Sequence, residues 1–397
     1  MKRRDFISFL ATAVAWPRAG LAQTWPSGNI RIVVPYPPAG STDVIARLVQ
    51  NGLQQRLRVN IIVDNRAGAS GSIGTASVAK SPPDGSTWLF VFDNHGANPF
   101  VLPTLPYDSE KDLDPVLLIG TAPYVITTHP GRPFRTLADI ISAAKRAPST
   151  ISYASVGSGS VGHLALAKLS NQASVQLVHV PYRGGGPAMN DVVAGHVDLL
   201  VGSTALSIPQ IQAGVIRPVV QTGIARASAL ASVPTVAESG FAAFEAYAWW
   251  GVFAPAGTPK AIIERFGADL ISSLREERVL KQVTETQQVA LSLGGPEELR
   301  KFVAEQMRIW GPSLAKTTSR GKGEYVVCTR PEPQGQVRSQ KFSRDKTTLI
   351  HRRFSPGRNG VRPAHRHSGK TKYPEKGTQI QLLPATLPER SRKTNAE

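Results

Sequence analysis

Short apolar runs alternate with amphipathic stretches along most of this 397-residue chain. Apolar runs of about four to eight residues predict buried strands, whereas apolar residues at spacings of three and four predict helices. The predicted strands are residues 30–35, 59–64, 87–92, 117–128, 151–155, 175–180, 197–201 and 215–222. The predicted helices are residues 42–57, 74–80, 137–146, 163–171, 188–194, 208–213, 260–278 and 296–310. This alternation predicts an α/β fold whose parallel sheets carry helices on both faces.

Two segments add detail to this pattern. Residues 117–128 form an apolar run long enough to pass from one lobe of the molecule to another. Residues 233–260 are less regular and rich in turn residues, and we assign no strand there. They contain Trp249 and Trp250, which either line a cleft or pack in the core.

Two strand-to-helix junctions, residues 35–43 and 155–163, consist of Gly/Ser-containing loops that open directly onto a helix. The first backbone N–H groups of a helix have no partner within it, and the helix dipole places partial positive charge there. Each junction is therefore a candidate anion site. One junction in each lobe predicts a clamp on a small carboxylate.

The first 22 residues read as an export signal, with a basic start, an apolar centre and small residues before a cleavage point after Ala22. Arg3 and Arg4 also fit a twin-arginine signal, so the general secretory and twin-arginine routes both stay open. The apolar run is shorter than the roughly 20 residues that span a bilayer. We expect an exported, periplasmic protein.

The net charge of +18 is unevenly distributed. Residues 23–315 carry a net of only +2, while residues 316–397 carry +13. The nearly neutral core gives no reason to expect nucleic acid as a partner. The tail has few apolar residues, so we predict disorder and interpret it as a non-native extension, with a basic binding arm as the alternative. It holds the single cysteine, Cys328, so the core has no disulfide.

Eight motifs in unbroken order carry a family resemblance: PYPPAGSTDVIAR, VDNRAGASGSIGT, SPPDGSTWLF, LPYDSEKDLDPV, YASVGSGSVGHLA, VHVPYRGGGPAMNDVVAGHVDLL, VPTVAESGF and GVFAPAGTPK. Across roughly residues 25–312 the chain resembles the extracytoplasmic solute receptors of the tripartite tricarboxylate transporter family. The resemblance implies a two-lobed periplasmic binding protein of type II, with two doubly wound sheets joined by a hinge. It also implies a small carboxylate or amide-bearing ligand and integral membrane transporter subunits as partners.

The expected organisation follows from the resemblance and from the composition. It comprises a signal peptide (1–22), a first lobe (23–122 and 224–315), a second lobe (123–223) and the basic tail (316–397). We expect a monomer that binds and releases its ligand without catalysis, and we expect no cofactor or metal.

The family's ligand loops fall on named positions of this chain. The predicted ligand-binding residues are Tyr36, Pro38, Ala39, Gly40, Ser41, Thr42, Asp43, Asn94, His95, Ser155, Ser158, Gly159, Ser160, His163, Tyr182, Gly184 and Asp198. The family has two adjacent glycines where this chain has Ala39 and Gly40; a positive φ at Ala39 would cost on the order of 1 kcal/mol.

Structural alternatives stay open for several of these residues. Ser41 or Thr42 is the expected N-cap, and Asp43 either caps the helix or contacts the ligand. His163 either faces the ligand or packs. Asn94, His95 and Asn98 either line the cleft or fill a loop. Asp198 forms a structural hydrogen bond or binds ligand, and we expect Arg183 to be exposed.

Two enzymatic alternatives remain. Gly157, Gly159 and Gly162 form GxGxxG between a strand and a helix, which is the dinucleotide fingerprint. No acidic residue follows between His163 and Asn190, so only an NADP-dependent oxidoreductase, with Arg183 on the 2′-phosphate, would fit. Ser158, His163 and Asp198 supply the residue types of a hydrolase triad, but the chain has no GxSxG elbow.

Overall fold

The computed structural model describes residues 25–102 and 104–320, with side chains as far as residue 311. They belong to the first of two units of the chain, residues 1–327; the second unit, residues 328–397, lies outside the described residues. The predicted signal peptide, Cys328 and most of the predicted basic tail also lie outside them.

The strands and helices alternate largely as predicted. The strands are β1 (Ile30–Val34), β2 (Ile61–Asn65), β3 (Thr87–Phe92), β4 (Leu113–Thr128), β5 (Ser152–Ser155), β6 (Val178–Pro181), β7 (Leu199–Ser203), β8 (Arg217–Gln221), β9 (Tyr247–Pro255) and β10 (Ala290–Gly294). The helices are α1 (Ser41–Leu57), α2 (Ser72–Ala79), α3 (Asn94–Val101), α4 (Leu137–Arg146), α5 (Val161–Gln172), α6 (Gly185–Val193), α7 (Thr204–Gln212), α8 (Lys260–Leu274), α9 (Glu277–Lys281) and α10 (Pro296–Arg320). Short 3₁₀ turns cover Ala69–Gly71 and Ser228–Leu230, and a π-helical turn covers Gln282–Thr286.

The strands form two sheets that share β4. The first sheet has the order β2-β1-β3-β9-β4, with β10 also paired to β4. The second sheet has the order β4-β7-β5-β6, with β8 also paired to β4. Pairing along β4 changes from β9 to β7 between Pro123 and Tyr124. We call the parts built on the two sheets the first and second lobes; this is the two-lobed α/β architecture that the sequence predicts.

Both sheets are mixed and not entirely parallel. β1 is parallel to β2 and β3, and β5 is parallel to β6 and β7. By contrast, β9 runs antiparallel to β3 and β4, and β4 runs antiparallel to β7 and β8. Antiparallel neighbours such as β4 and β9 need no crossover helix between them. An alternating βα pattern therefore does not reveal the direction of these strands.

Helix α1 shows how the sequence builds the first lobe. Its residues Ile45, Val49, Leu53 and Leu57 recur every four positions and are all buried. Arg58 ends the helix in the left-handed region, with φ of 56°. This spacing places one apolar face against the sheet and leaves the first turn at the carboxyl end of β1.

Strand β9, which we did not predict, places its two tryptophans in different layers. Successive residues of a strand point to opposite faces. Trp250 packs in the main core with Phe92, and Trp249 packs on the other face against Phe302 of α10. Both tryptophans are fully buried, so they pack in the core and do not line a cleft.

The C-terminal elements differ from prediction in their ends. The predicted helix 260–278 divides into α8 and α9, and a π turn that we did not predict follows α9. Helix α10 packs on β4 and α3, as expected for a helix that returns to the first lobe, but it continues to Arg320. The predicted tail therefore begins within a helix. No helix among the described residues has the length and apolar character needed to cross a membrane.

Candidate functional site

Tyr36 holds the loop between β1 and α1 in place through its hydroxyl group. Its hydroxyl donates to Asn94 Oδ1 at 2.6 Å and accepts from the Phe92 N–H at 3.0 Å. Burial is the main cause of a pKa well above the ordinary tyrosine value. Tyr36 thus fixes the loop to the end of β3.

The first turn of α1 is capped differently from the prediction. Gly40 is the N-cap, and neither Ser41 nor Thr42 caps with its side chain. Asp43 Oδ2 instead accepts from the Ala39 N–H at 3.0 Å. Ala39 has φ of 64°, the left-handed conformation in which a glycine would be unstrained.

Asp43 itself is paired within the first lobe. Arg47 Nε lies 3.0 Å from its carboxylate and Asn65 Nδ2 donates to it at 2.9 Å. Burial acts to raise the Asp43 pKa, but hydrogen bonds from Arg47, Ala39 and Asn65 outweigh it and hold the pKa below its usual value. These contacts account for Asp43 as a structural residue of the loop.

In the second predicted loop, the serine hydroxyls bond within the loop and to a neighbouring strand. Ser155 Oγ lies 2.7 Å from His179 Nε2. Ser160 is the N-cap of α5: its Oγ accepts from the His163 N–H at 3.3 Å and donates to Gly157 O at 2.9 Å. The Ser158 carbonyl accepts from Ser70 Oγ, across the two lobes, at 3.2 Å.

His163 packs on a second histidine that the sequence did not single out. The His163 and His179 rings stack with centroids 3.9 Å apart, and His163 Nδ1 accepts from the Gly159 N–H at 3.1 Å. Burial lowers the His163 pKa to about 4. Burial and then repulsion from His163 lower the His179 pKa to about 2. Both rings are therefore neutral at physiological pH.

The start of α5 is already occupied by a carboxylate of the chain. Asp93, at the end of β3, accepts from the Val161 N–H at 3.2 Å and from the Tyr124 hydroxyl. Burial raises the Asp93 pKa to about 7. The GxGxxG glycines lie at this same helix start, with Gly162 in its first turn, and a cofactor's pyrophosphate there would have to displace Asp93.

The remaining predicted residues have separate environments. Asn94 and Asn98 lie in α3 and not in a loop, and both donate to the Ser70 carbonyl. His95 is buried beside Phe253, with no partner for either ring nitrogen in the described residues. Burial lowers its pKa to about 4.

Tyr182 and Asp198 both bond within the second lobe. The Tyr182 hydroxyl donates to Asp191 at 2.5 Å. Asp198 accepts from the Ser152 N–H and hydroxyl, each at 2.8 Å, and pairs with Arg132 at 3.2 Å. Arg183 is exposed, as expected. Asp198 and His163 have different partners, so they do not form a triad.

A cavity of about 210 Å³ lies between the lobes, next to the first loop. Its lining residues are Ala39, Ser41, Val44, Gly186, Met189, Asn190, Ala205, Leu206, Pro209, Gln210, Gln282 and Gln287. Of the predicted ligand residues, only Ala39 and Ser41 are among them. The cavity faces the starts of three helices: α1 from the first lobe, and α6 and α7 from the second.

The sequence indicated only some of the residues that line the cavity from the second lobe. The PYRGGGPA motif marked Gly184 and Gly185, which immediately precede the lining residue Gly186. The start of α7 follows β7 through Ser203, whose hydroxyl caps it by accepting from the Leu206 N–H at 3.3 Å. A serine after an apolar strand was the available signal for this helix start. Nothing in the sequence pattern indicated Gln282 or Gln287.

Of the described residues that line the cavity, four have carboxamide side chains and none has a charged side chain. The four are Asn190, Gln210, Gln282 and Gln287. Gln287 is only 2% exposed, and its Oε1 accepts no hydrogen bond from the described part of the chain. An unpaired buried polar group costs about 1–3 kcal/mol.

The two lobes touch beside this cavity. A Cβ atom at Gly184 would lie 2.6 Å from Pro37 Cδ, and one at Gly186 would lie 3.1 Å from the Pro38 carbonyl oxygen. Ser70 to Ser158 and Asp93 to Val161 are hydrogen bonds across the same cleft. These contacts join the two lobes beside the cavity.

Comparison with known proteins identifies a family. The family model described as tripartite tricarboxylate transporter family receptor matches residues 45–318. A Pseudomonas sp. (strain P51) protein from the tcbD-tcbE intergenic region is 37% identical over 302 residues, covering 76% of this chain and 90% of its own. BugT of Bordetella pertussis is 32% identical, covering 79% of this chain and 96% of its own.

Solved structures give the same result for the fold. Rpa4515 of R. palustris with adipate has a TM-score of 0.71 at 31% identity, covering 74% of this chain and 98% of its own. MatC of Rhodopseudomonas palustris with bound malate has a TM-score of 0.69 at 28% identity, covering 73% and 100%. Periplasmic binding protein BugD has a TM-score of 0.70 at 28% identity, covering 74% and 99%. These likenesses confirm the two-lobed binding-protein fold and do not support the oxidoreductase alternative.

Proposed function

Because this chain belongs to the family of tripartite tricarboxylate transporter receptors, we propose that it binds a small carboxylated metabolite in the cavity between its lobes. We propose further that it works in the periplasm, as a monomer, and delivers this ligand to integral membrane transporter subunits. Its output is binding and release, without catalysis.

The main support is the convergence of three helix starts on one cavity. Helices α1, α6 and α7 contribute lining residues from their first turns, namely Ser41, Gly186 and Ala205. Each start adds partial positive charge and N–H donors, which together favour an anion. None of the described lining residues carries a charged side chain. We therefore propose that the second half of the clamp lies at α6 and α7, and not at α5.

Ligand binding would act through closure. Ala39 and Ser41 belong to the first lobe, whereas Gly186 and Ala205 belong to the second. A carboxylate that contacts both sets at once binds the closed arrangement better than an open one, and so shifts the population toward closure. The ligands in two of the similar structures, adipate in Rpa4515 and malate in MatC, are both dicarboxylates; we take from them only that a small carboxylate suits this kind of site.

A thermal-shift screen of the mature protein tests the proposal. The panel contains mono-, di- and tricarboxylates, each beside its neutral amide or ester. We expect at least one acid to stabilise the protein by about 2.7 kcal/mol at 100 times its dissociation constant, while its neutral ester does not. Affinity should fall less than about threefold between low and physiological ionic strength, because the binding groups are backbone N–H groups at helix starts and not exposed charged side chains.

A matched pair of variants locates the site. Ser41→Phe projects a ring from the start of α1 toward the cavity, whereas Ser142→Phe places the same ring on the exposed face of α4. We expect the first variant to lose at least tenfold in affinity and the second to bind normally. Binding that survives Ser41→Phe unchanged, or a protein that no carboxylate stabilises, would contradict the proposal.

A further inference from the structure

A left-handed turn of the first lobe, residues 68–71, touches the second lobe. It follows β2, and all four of its residues have positive φ, with values of 143°, 44°, 53° and 88°. Ala69 and Ser70 are not glycines, and residues with a side chain rarely adopt such a conformation. Two strained residues in succession persist only where the surrounding structure holds them.

Helix α3 holds this turn through the carbonyl group of Ser70. Asn94 Nδ2 and Asn98 Nδ2 donate to that carbonyl oxygen at 2.7 and 3.1 Å. The two asparagines are four residues apart and therefore lie on one face of α3. Within the turn, the Gly71 N–H donates to the Gly68 carbonyl at 2.9 Å. The backbone of Ser70 is thus fixed within the first lobe.

The hydroxyl of Ser70 bonds to the second lobe. It donates to the Ser158 carbonyl at 3.2 Å. The loop that carries Ser158 is itself held in place, because the Gly157 carbonyl accepts from the hydroxyls of Ser155 and Ser160 at 3.1 and 2.9 Å. The bond from Ser70 joins two loops that are each fixed to their own lobe, so it is lost whenever the lobes move apart.

Two glycines of the second-lobe loop allow this close approach. A Cβ atom at Gly157 would lie 3.1 Å from Ser70 Oγ, and one at Gly159 would lie 2.5 Å from Val101 Cγ2. Val101 follows Asn98 by three residues, so the face of α3 that holds Ser70 also meets the second lobe. Gly157 and Gly159 are the first two glycines of GxGxxG, and contact between the lobes explains them without a dinucleotide.

We infer that Ser70 is a positioning residue for closure: its hydroxyl holds the loop 157–159 and so increases the fraction of ligand-free molecules whose lobes are in contact. The consequence for affinity rests on the proposed function. A ligand that requires both lobes has an apparent dissociation constant inversely proportional to that fraction. The loss of one such hydrogen bond should change the ratio of lobes in contact to lobes apart about two- to tenfold.

Distance measurements between two spin labels test the inference without any ligand. Gln55→Cys on α1 and Ser142→Cys on α4 provide exposed labelling positions, one in each lobe, in the full mature chain carrying Cys328→Ser. We expect Ser70→Ala to lower the ratio of lobes in contact to lobes apart about two- to tenfold.

The matched control is Ser77→Ala. The Ser77 hydroxyl also donates to a backbone carbonyl, that of Gly74 at 2.7 Å, but this bond lies within the first lobe. Ser77→Ala should leave the distance distribution as it is in the parent. An equal shift in both variants would show that the effect is not specific to the bond between the lobes, and would overturn the inference.

Ser70→Gly separates lobe contact from overall stability. It removes the same hydroxyl as Ser70→Ala but relieves the positive φ, so it should melt about 1–3 °C higher than Ser70→Ala. Its lobes should nevertheless be in contact no more often than those of Ser70→Ala. Recovery of lobe contact in Ser70→Gly would mean that stability, and not the hydroxyl, controls closure, and would overturn the inference.

Titration with the panel of mono-, di- and tricarboxylates separates the inference from the proposed function. For each acid that binds the parent, Ser70→Ala should lose affinity by the factor by which its fraction of molecules in contact falls, and Ser77→Ala should lose none. A distance distribution of Ser70→Ala that matches the parent would overturn the role of Ser70 and leave carboxylate binding intact. Failure of every acid to bind the parent would overturn the proposed function, while the ligand-free distances would still decide whether Ser70 holds the lobes together.

Discussion

At the scale of single residues, the first loop contains a strained residue, Ala39, whose backbone is held by a hydrogen bond. Ala39 holds the left-handed conformation that the family's glycine would adopt freely, and its N–H is fixed by Asp43. The sequence showed that Ala39 replaces a glycine of the family pattern, and that a positive φ there would cost free energy. The sequence did not show how the helix is capped, because the cap depends on the Asp43 carboxylate turning back by four residues to the Ala39 N–H.

Ala39→Gly should therefore stabilise the protein. The substitution relieves the left-handed strain but raises the entropy of the unfolded chain, so we expect the free energy of unfolding to rise by at most about 1 kcal/mol. Urea unfolding would measure it. Ala268→Gly, at an exposed position inside α8, is the control and should lose about 1 kcal/mol. A loss of similar size in both variants would show that Ala39 is not strained.

At the scale of elements, most helices and strands followed from periodicity, but their assembly into a site did not. Helix α1 was predicted to within one residue because its buried residues recur every four positions. Strand β9 was missed because Pro and Gly surround it and its burial on both faces leaves no alternation. The convergence of α6, α7 and the π turn joins segments up to a hundred residues apart, and local sequence carries no distance of that kind.

The contact between the β1–α1 loop and the start of α6 gives a prediction at this scale. Gly184→Ala would place a Cβ atom 2.6 Å from Pro37 Cδ, so the two lobes cannot close fully unless the loop shifts. We expect ligand affinity to fall at least tenfold in calorimetric titrations, with the far-ultraviolet circular dichroism unchanged.

The control for this prediction is Gly28→Ala, whose added Cβ would meet nothing within 4 Å. It should bind ligand as the parent does. Undiminished affinity of Gly184→Ala would mean that the lobes do not need this close approach in the ligand-bound state.

At the scale of the whole molecule, Asp93 ties the lobes together. It belongs to the end of β3 in the first lobe, yet it bonds the start of α5 in the second and Tyr124 of the shared strand β4. Burial raises its pKa to about 7. The sequence predicted a ligand carboxylate at the start of α5; the structure has the Asp93 side chain there.

Stability should consequently depend on pH through Asp93. Between about pH 4 and pH 7 the folded protein holds a proton that the unfolded chain has released, so this residue's contribution to stability decreases as the pH rises through that window. Asp93→Asn removes the titration. We expect its melting temperature, relative to the parent, to increase from pH 4 to pH 7, a change on the order of 1–4 kcal/mol in unfolding free energy.

Asp43→Asn provides the opposite case. Because the Asp43 pKa lies below its usual value, this variant should be less stable than the parent at neutral pH and should approach it as the pH falls through about 4. Comparing each variant with the parent cancels the histidine titrations common to all. A difference between Asp93→Asn and the parent that stays constant across the window would show that Asp93 titrates normally.

Strand β4 should also cause the two lobes to unfold together. Its first eleven residues, 113–123, pair within one sheet and its last five, 124–128, pair within the other, so unfolding either lobe removes a strand from its neighbour. Scanning calorimetry of residues 23–320 should show one heat-absorption peak, with equal calorimetric and van't Hoff enthalpies, although the molecule has two lobes. A receptor built in this way either retains both halves of its ligand site or loses both together.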